Sequence, residues 1–449
     1  MSGKVFWLRY LPASLRAKIE HRPNLLRILS NTGWLLFDKI LRMGMGLLVG
    51  VWVARYLGPE QFGLFNYATA VVALFTAVST LGLNNIVVRD LVKNPENAST
   101  TMGTAFLLQL VGGVLAFILA LIAVTVMRPD DTTARVIVAI FGFAMVFKAT
   151  DVVRYWFESK VQSKYTVLVE NAVFLVFAAI KVILVLIAAP LITFVWIVLA
   201  EAAFVALLLL AVYMQQGHSL RSWRYQYIRA KSLLSDSWPL ILSGLAAMIY
   251  MRIDQIMLGQ MMGNEAVGIY SAAVRISEIW YFIPMAIAGS VFPALIETRR
   301  KSQNLYLAQL EKLFNLMTIL ALAIALPATL MSEWIMNTLY GHGYSDSALI
   351  LTIHIWSGLF VFSGVASSRW FIAENLQKYT FYRTLAGCLV NVALNCSLIP
   401  EYGAIGSAWA SVISQAVASI LFNVLHSKTR PIFYMQMQSL TRLGIPKKQ

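Results

Sequence analysis

The sequence predicts an all-α polytopic membrane protein, with twelve transmembrane helices in two six-helix lobes related by a parallel repeat. Three observations predict it. Apolar residues make up 59% of the 449 and charged residues 13%, against about 45–50% and 25% in a soluble globular chain. The apolar residues gather in runs long enough to cross a hydrocarbon core of about 30 Å, which takes roughly 20 residues of helix. Two stretches repeat one pattern, Gly-x-Glu-x-x-Gly-x-aromatic: Gly58-Pro59-Glu60-Gln61-Phe62-Gly63-Leu64-Phe65 and Gly263-Asn264-Glu265-Ala266-Val267-Gly268-Ile269-Tyr270. A second echo follows in the same order. Trp156-Phe157 precedes Lys164-Tyr165-Thr166 as Trp370-Phe371 precedes Lys378-Tyr379-Thr380, so the chain reads as two copies of one membrane unit.

The spans fall near 31–55, 63–88, 101–127, 133–155, 166–189 and 192–214, then 233–258, 266–296, 305–331, 346–372, 378–399 and 404–426. Each glycine motif lies between two spans, where glycine permits a tight turn and glutamate stays in water. The halves meet at residues 215–232, a stretch carrying Arg221, Arg224, Arg229 and Lys231 without an acid. The organisation expected is therefore a basic cytoplasmic segment (1–30), an N-lobe (31–214), a cytoplasmic linker (215–232), a C-lobe (233–426) and a basic cytoplasmic tail (427–449). Residues 13–21, after Pro12, read as a short basic helix on the inner leaflet.

Orientation follows from the loop cations. The net charge is +15, and the cations sit at the termini and even-numbered loops, including Arg89, Lys93, Arg154, Lys160, Lys164, Arg299, Arg300, Lys301 and Lys378. The odd loops hold only Arg55, Arg128 and Arg135 against several acids. The positive-inside rule then puts both termini in the cytoplasm, and the same rule explains the charge without nucleic acid. Cys388 and Cys396 lie eight residues apart on one helix, about 12 Å, too far for a disulfide. The five histidines are scattered without metal-ligand spacing. No cofactor or metal is expected, and no loop is long enough to hold an enzyme domain.

Charged residues inside spans point to function, because each costs an apparent 2.5 to 3.5 kcal/mol at a helix centre and so faces protein or water. Asp38 and Arg42 lie four apart in the first span; Lys181 and Glu201 fall in spans five and six; Arg275 and Glu278 fall in span eight, and Arg252 and Asp254 in span seven. Two readings stand. In one, Asp38 with Arg42 and Arg275 with Glu278 are local ion pairs. In the other, Arg42, Lys181, Arg252 and Arg275 line a cavity that neutralises an anionic head group, arginine being suited to bidentate phosphate contact. Asp38, Glu201 and Glu278 are then the candidates for ion coupling, since a carboxylate held out of water can exchange a proton or bind a cation.

The run from Gly50 to Ala68, with its second-half copy from Met257 to Ala273, resembles the first hairpin of bacterial polysaccharide-biosynthesis (O-antigen-type) flippases. That family sits in the superfamily of multidrug/oligosaccharidyl-lipid/polysaccharide exporters, which includes the multidrug and toxic compound extruders (MATE) and the lipid II flippases. The resemblance implies a MATE-like fold in the bacterial inner membrane and a transporter, not an enzyme. It would turn an undecaprenyl-pyrophosphate-linked oligosaccharide from the cytoplasmic to the periplasmic leaflet by alternating access, the lobes rocking about the linker near Arg221 to Lys231, with H+ or Na+ as a counter-ion. A polysaccharide polymerase and glycosyltransferases are the partners it implies. The rivals are an organic-cation extruder of the same superfamily, whose site should be acidic and aromatic, and an assembly scaffold for polysaccharide enzymes.

Overall fold

The computed structural model describes residues 23–441. The expected basic helix at 13–21 and the last eight residues of the tail lie outside the described residues. All the regular elements described are helical. Among the described residues, ten helical segments are long and apolar enough to cross a membrane. Two of them, α1 (Pro23–Leu74) and the later Gln377–Ser419, are broken by a glycine with non-helical backbone, Gly58 and Gly403. Dividing at those breaks gives the twelve spans.

The remaining elements run in order. An amphipathic α2 (Asn84–Lys93) leads to α3 (Ala98–Met127); α4 (Thr132–Phe143) runs through a 3-10 stretch into α5 (Asp151–Ser159); α6 (Lys164–Leu186) and α7 (Leu191–Gln215) close the first half. The second half holds α8 (Tyr227–Met261), α9 (Asn264–Glu278), α10 (Phe282–Lys301), α11 (Gln303–Leu330), a short α12 (Ser332–Leu339), α13 (Ser347–His354), α14 (Ser357–Ala373), α15 (Gln377–Ser419) and α16 (Arg430–Thr441).

The duplication is written in the backbone as well as in the motifs. Positive φ recurs at matching turns: Gly58 with Gly263 (71° and 89°), Val161 with Asn375 (54° and 56°), and Ala188 with Gly403 (both 55°). A β-branched residue with positive φ is an outlier, so Val161 shows that the geometry of this turn is imposed by the packing around it. The second sequence echo lands beside that turn. Phe157 and Phe371 are both fully buried, each in the hydrophobic cluster of its own half.

By contacts the chain groups into two compact units whose boundaries run through spans. Among the described residues, one comprises 23–50, 75–122 and 139–241 and the other 51–74, 123–138 and 242–441. The first unit packs around Leu83, Val87, Leu91, Met102, Tyr155, Phe157 and Leu209. The 215–232 stretch is sewn onto this unit. The Arg224 amide donates to the Ser99 carbonyl (3.3 Å), the Gln226 amide to Thr104 Oγ1 (3.1 Å), and Arg229 to Asp90 (2.9 Å). Trp223 stacks on Phe106 at 5.4 Å, and His218 lies against Tyr213 and Trp156; burial there, and then Lys160, hold its imidazole below the ordinary pKa. The stretch from Arg221 to Lys231, expected from the sequence as the pivot, is strapped here to α2 and α3 through its backbone and Arg229.

The second unit contains both glycine hairpins, packed on each other. A methyl group at Gly63 would overlap the Asn264 carbonyl, and one at Gly268 would overlap that of Pro59. The motif's first glycine makes the turn, as read; its second permits the two copies to touch backbone to backbone. Arg128, at the end of α3, locks this contact. Its guanidinium lies 3.8 Å from the Tyr67 ring centroid and donates to Asn264 Oδ1 (2.7 Å) and to the Gly259 carbonyl. Asn264 in turn donates to Glu60 (3.0 Å), and Gln260 to Tyr67 Oη (2.5 Å).

This unit's core is built on Tyr306, Phe314, Met317, Phe362 and Phe371. The tail contributes to it. Residues 430–441 form α16, which docks through buried Ile432, through Gln436 to Ser363 (2.9 Å) and through Ser439 to Thr318 (2.6 Å). Residues 430–441 of the expected basic cytoplasmic tail are thus a packed element.

Gly63→Ala and Gly268→Ala should each lower stability by about 1–3 kcal/mol through overpacking, read as a drop in melting temperature of the detergent-purified protein. Gly44→Ala, with open space around it, should leave the melting temperature unchanged or raised.

Candidate functional site

The structure sorts the intramembrane charges by partner. Arg42 donates from Nε to Asp38 (2.6 Å) and reaches Glu170 of α6 (3.1 Å). Glu170 also meets Arg154 (2.6 Å), which meets Asp151 (3.3 Å). Three carboxylates face two guanidiniums, so the network is formally negative and Arg42 has no charge to spare for an anion. Lys181 pairs with Glu201 across α6 and α7 at 2.7 Å. The partner that Lys181 needed lies on the next helix, 20 residues on, beyond the reach of any spacing rule for a single helix.

Arg252 and Arg275 make no ion pair among the described residues. The expected local pair of Arg275 with Glu278 is absent: Arg275 is exposed and turned towards Tyr340, while the cation acting on Glu278 is Arg252. Asp38 and Glu201, as partners of Arg42 and Lys181, are engaged. Of the carboxylates read as coupling candidates, Glu278 lines the cavity of the second unit.

That cavity, of ≈ 510 Å³, lies within the second unit among α8, α9, α13, α14 and α15. Asp254 is its most elaborately held group. Tyr270 Oη (2.8 Å) and Ser411 Oγ (2.5 Å) donate to Oδ2, and Asn395 Nδ2 (2.6 Å) donates to Oδ1. Asn395 is bridged to Asn391 (3.1 Å), which donates to Ser414 (3.3 Å). Four spans therefore converge on one carboxylate, which is 7% exposed and has no cation bonded to it. His354, also buried, shares a 2.6 Å hydrogen bond with Ser277 and stands edge-on to Tyr270. Arg383 closes another wall of the cavity.

Sequence reasoning passed over most of this cluster. Asp254 was read only as lying in span seven, and Arg383, near the start of span eleven, as no site residue at all. One signal was present. At the offset of 205 that aligns the glycine motifs, Asp254 falls on Val49 and Tyr270 on Phe65, so the second copy alone has gained a carboxylate and a hydroxyl to hold it.

A chain built of two six-helix halves, with recurring positive-φ turns and a polar cavity inside hydrocarbon-length helices, is a multi-pass membrane protein. Comparison with known proteins agrees. The family model described as "Polysaccharide biosynthesis protein" matches residues 28–299, more than half of the chain, and the chain belongs to that family. It is 28% identical over 210 residues to "Probable flippase AglR" of Haloferax volcanii, a match covering 45% of this chain and 40% of that one. The chain thus spans about two-fifths of the length of this archaeal relative. "Capsular polysaccharide biosynthesis protein CapF" of Staphylococcus aureus is 20% identical over 407 residues, covering 89% of this chain and 100% of the relative. Among solved structures, the lipid II flippase MurJ in its inward closed conformation superposes with a TM-score of 0.70 at 15% identity, covering 92% of this chain and 91% of that one. An inward-facing multidrug resistance MATE family transporter gives 0.67 at 15% identity, over 90% and 95%. The chain shares the fold of these two structures.

Asp254→Leu should destabilise the protein, because Tyr270, Ser411 and Asn395 lose their shared acceptor and the contacts left, Tyr270 with Ser411 (2.9 Å) and Asn395 with Asn391, cannot use every donor, at about 1–3 kcal/mol for each group stranded. Asp254→Asn, which keeps an acceptor for some of them, should cost less. Thermal unfolding of the two variants side by side checks the order. For the ion pair, Lys181→Met alone should be more damaging than Lys181→Met with Glu201→Gln, since the single change strands a partly buried carboxylate.

Proposed function

We propose that this protein flips an undecaprenyl-pyrophosphate-linked oligosaccharide from the cytoplasmic to the periplasmic leaflet, by alternating access of lobes 31–214 and 233–426, for cell-surface polysaccharide biosynthesis. Membership of the polysaccharide biosynthesis family, on a fold shared with a lipid II flippase, carries this reading. The physical demand fits it. Only the saccharide and its pyrophosphate must cross, while the polyprenyl tail stays in lipid. An inside-negative potential favours outward movement of two negative charges by about 4.6 kcal/mol at 100 mV, at about 2.3 per charge.

Among the cations read from the sequence, this proposal keeps Arg252 and Arg275 as pyrophosphate contacts and gives Arg42 and Lys181 structural roles, because carboxylates already meet their charges. Ion coupling, to H+ or Na+, is assigned to Glu278 and Asp254 of the cavity, in place of Asp38 and Glu201. The protein resides, in this reading, in the bacterial inner membrane with both termini cytoplasmic, next to the polymerase and glycosyltransferases that use its product.

One observation favours a second reading. The cavity is lined by Asp254, Glu278 and three tyrosines, Tyr250, Tyr270 and Tyr281, an acidic and aromatic surface of the kind an organic-cation extruder needs. Proteoliposomes separate the two. A flippase moves a fluorescent lipid-linked oligosaccharide between leaflets, and Arg252→Ala slows it by about tenfold, the size of one lost charge-assisted contact; an extruder instead accumulates an organic cation and leaves the lipid in place. Glu278→Gln should abolish any dependence of the rate on a proton or sodium gradient, and an unchanged dependence would remove Glu278 from coupling.

A further inference from the structure

Arg383 is the cation that the cavity itself contains. It sits six residues into α15, about 9 Å along the helix axis at 1.5 Å per residue, a depth from which a long side chain could reach the interface. It turns inward instead and is 6% exposed. Of its five N–H groups, three are used, and all on neutral acceptors: Ser367 Oγ at 2.6 Å, Ser368 Oγ at 2.6 Å and the Gly364 carbonyl at 3.1 Å. Its planar group lies 5.0 Å from the Phe371 ring centroid. No carboxylate bridges it among the described residues, and neither Asp254 nor Glu278 is among the groups acting on it; the one that does is the phenol of Tyr250.

A buried guanidinium without a counter-charge is strongly disfavoured, since its desolvation is not offset by a partner. Such a group calls for an anion. A second observation points the same way: Tyr250 Oη is buried on the same cavity and, although Ser414 is near, has no well-formed hydrogen bond. Two donors with unspent capacity therefore face one space, and both are groups that bind oxyanions well. The other deep cations lack this combination, as Arg42 and Lys181 are paired and Arg252 faces Glu278.

We propose that Arg383 and Tyr250 form an oxyanion subsite inside the cavity of the second unit, taking a phosphate or carboxylate oxygen of the transported head group. Its role in transport rests on the flippase reading; its capacity to bind does not. Ser367, Ser368 and Gly364 hold the guanidinium in place, so the subsite is preorganised by α14.

The test uses the purified full-length chain in nanodiscs, titrated calorimetrically with inorganic pyrophosphate, with glucuronate and with glucose. The subsite requires saturable binding of at least one oxyanion and none of glucose. Pyrophosphate alone identifies the lipid's phosphates as the natural source; glucuronate alone identifies an acidic sugar. Affinity should fall at least tenfold in Arg383→Gln, less in Arg383→Lys, which keeps charge but loses the fork, and about threefold in Tyr250→Phe. Binding of neither oxyanion by the wild type, or equal affinity in Arg383→Gln, overturns the proposal; if Arg383→Gln does not fold, Arg383→Lys and Tyr250→Phe carry the same comparison. A variant that loses anion binding but still flips lipid-linked glycan in proteoliposomes keeps the subsite and overturns its part in transport. Wild-type protein that binds the oxyanion yet flips no lipid overturns the flippase reading alone.

Discussion

Hydrocarbon offers no hydrogen bonds, so every polar group that this chain carries between its interfaces must find its partner inside the protein. That requirement organises the molecule. It forces the backbone into helices of spanning length, and it confines the irregular backbone to turns such as those at Gly58, Val161 and Gly403. It also draws the charged side chains into sets. The chain of contacts from Asp38 through Arg42, Glu170 and Arg154 to Asp151 ties α1 to α5 and α6, and Lys181 with Glu201 ties α6 to α7. Each of these charges would be prohibitive alone; together they hold helices that have no hydrophobic reason to prefer one another over lipid.

The same constraint separates scaffold from site. In the first unit the deep cations all meet carboxylates directly, which fastens helices. In the second, Asp254 is held by a tyrosine, a serine and an asparagine rather than by a cation, and Arg383 by hydroxyls and a carbonyl rather than by a carboxylate. Opposite charges are thus kept in one cavity without being allowed to neutralise each other. An arrangement of that kind is poorly suited to fastening helices, which a direct pair does better, and well suited to exchanging partners with a ligand or an ion.

Duplication supplied the frame on which this asymmetry was built. The glycine motif persists in both copies because its second glycine is where the copies touch, and a side chain at either position has no room. Around that shared contact the halves have diverged: Phe65 in one is Tyr270 in the other, and Val49 is Asp254. Arg128 illustrates how a residue can satisfy two readings, since a cation of the odd loops looks like an exception to charge bias until its stacking on Tyr67 and its bonds to Gly259 and Asn264 are seen.

Spans, repeat, turn positions and family were legible in the sequence because each depends on neighbours along the chain: a run of about 20 apolar residues, a motif repeated at one offset, a glycine where φ must be positive. Pairing was not legible, because it depends on which helices lie side by side. Arg42 and Glu170 are 128 residues apart and Asp254 and Ser411 157, and no periodicity connects such positions. Tertiary structure alone therefore decided that Lys181 is paired, that the linker bonds to α2 and α3, that residues 430–441 pack as a helix, and that Arg383 belongs to the cavity. A charge's meaning in hydrocarbon is set by the partner that folding brings to it, and composition records the charge without the partner.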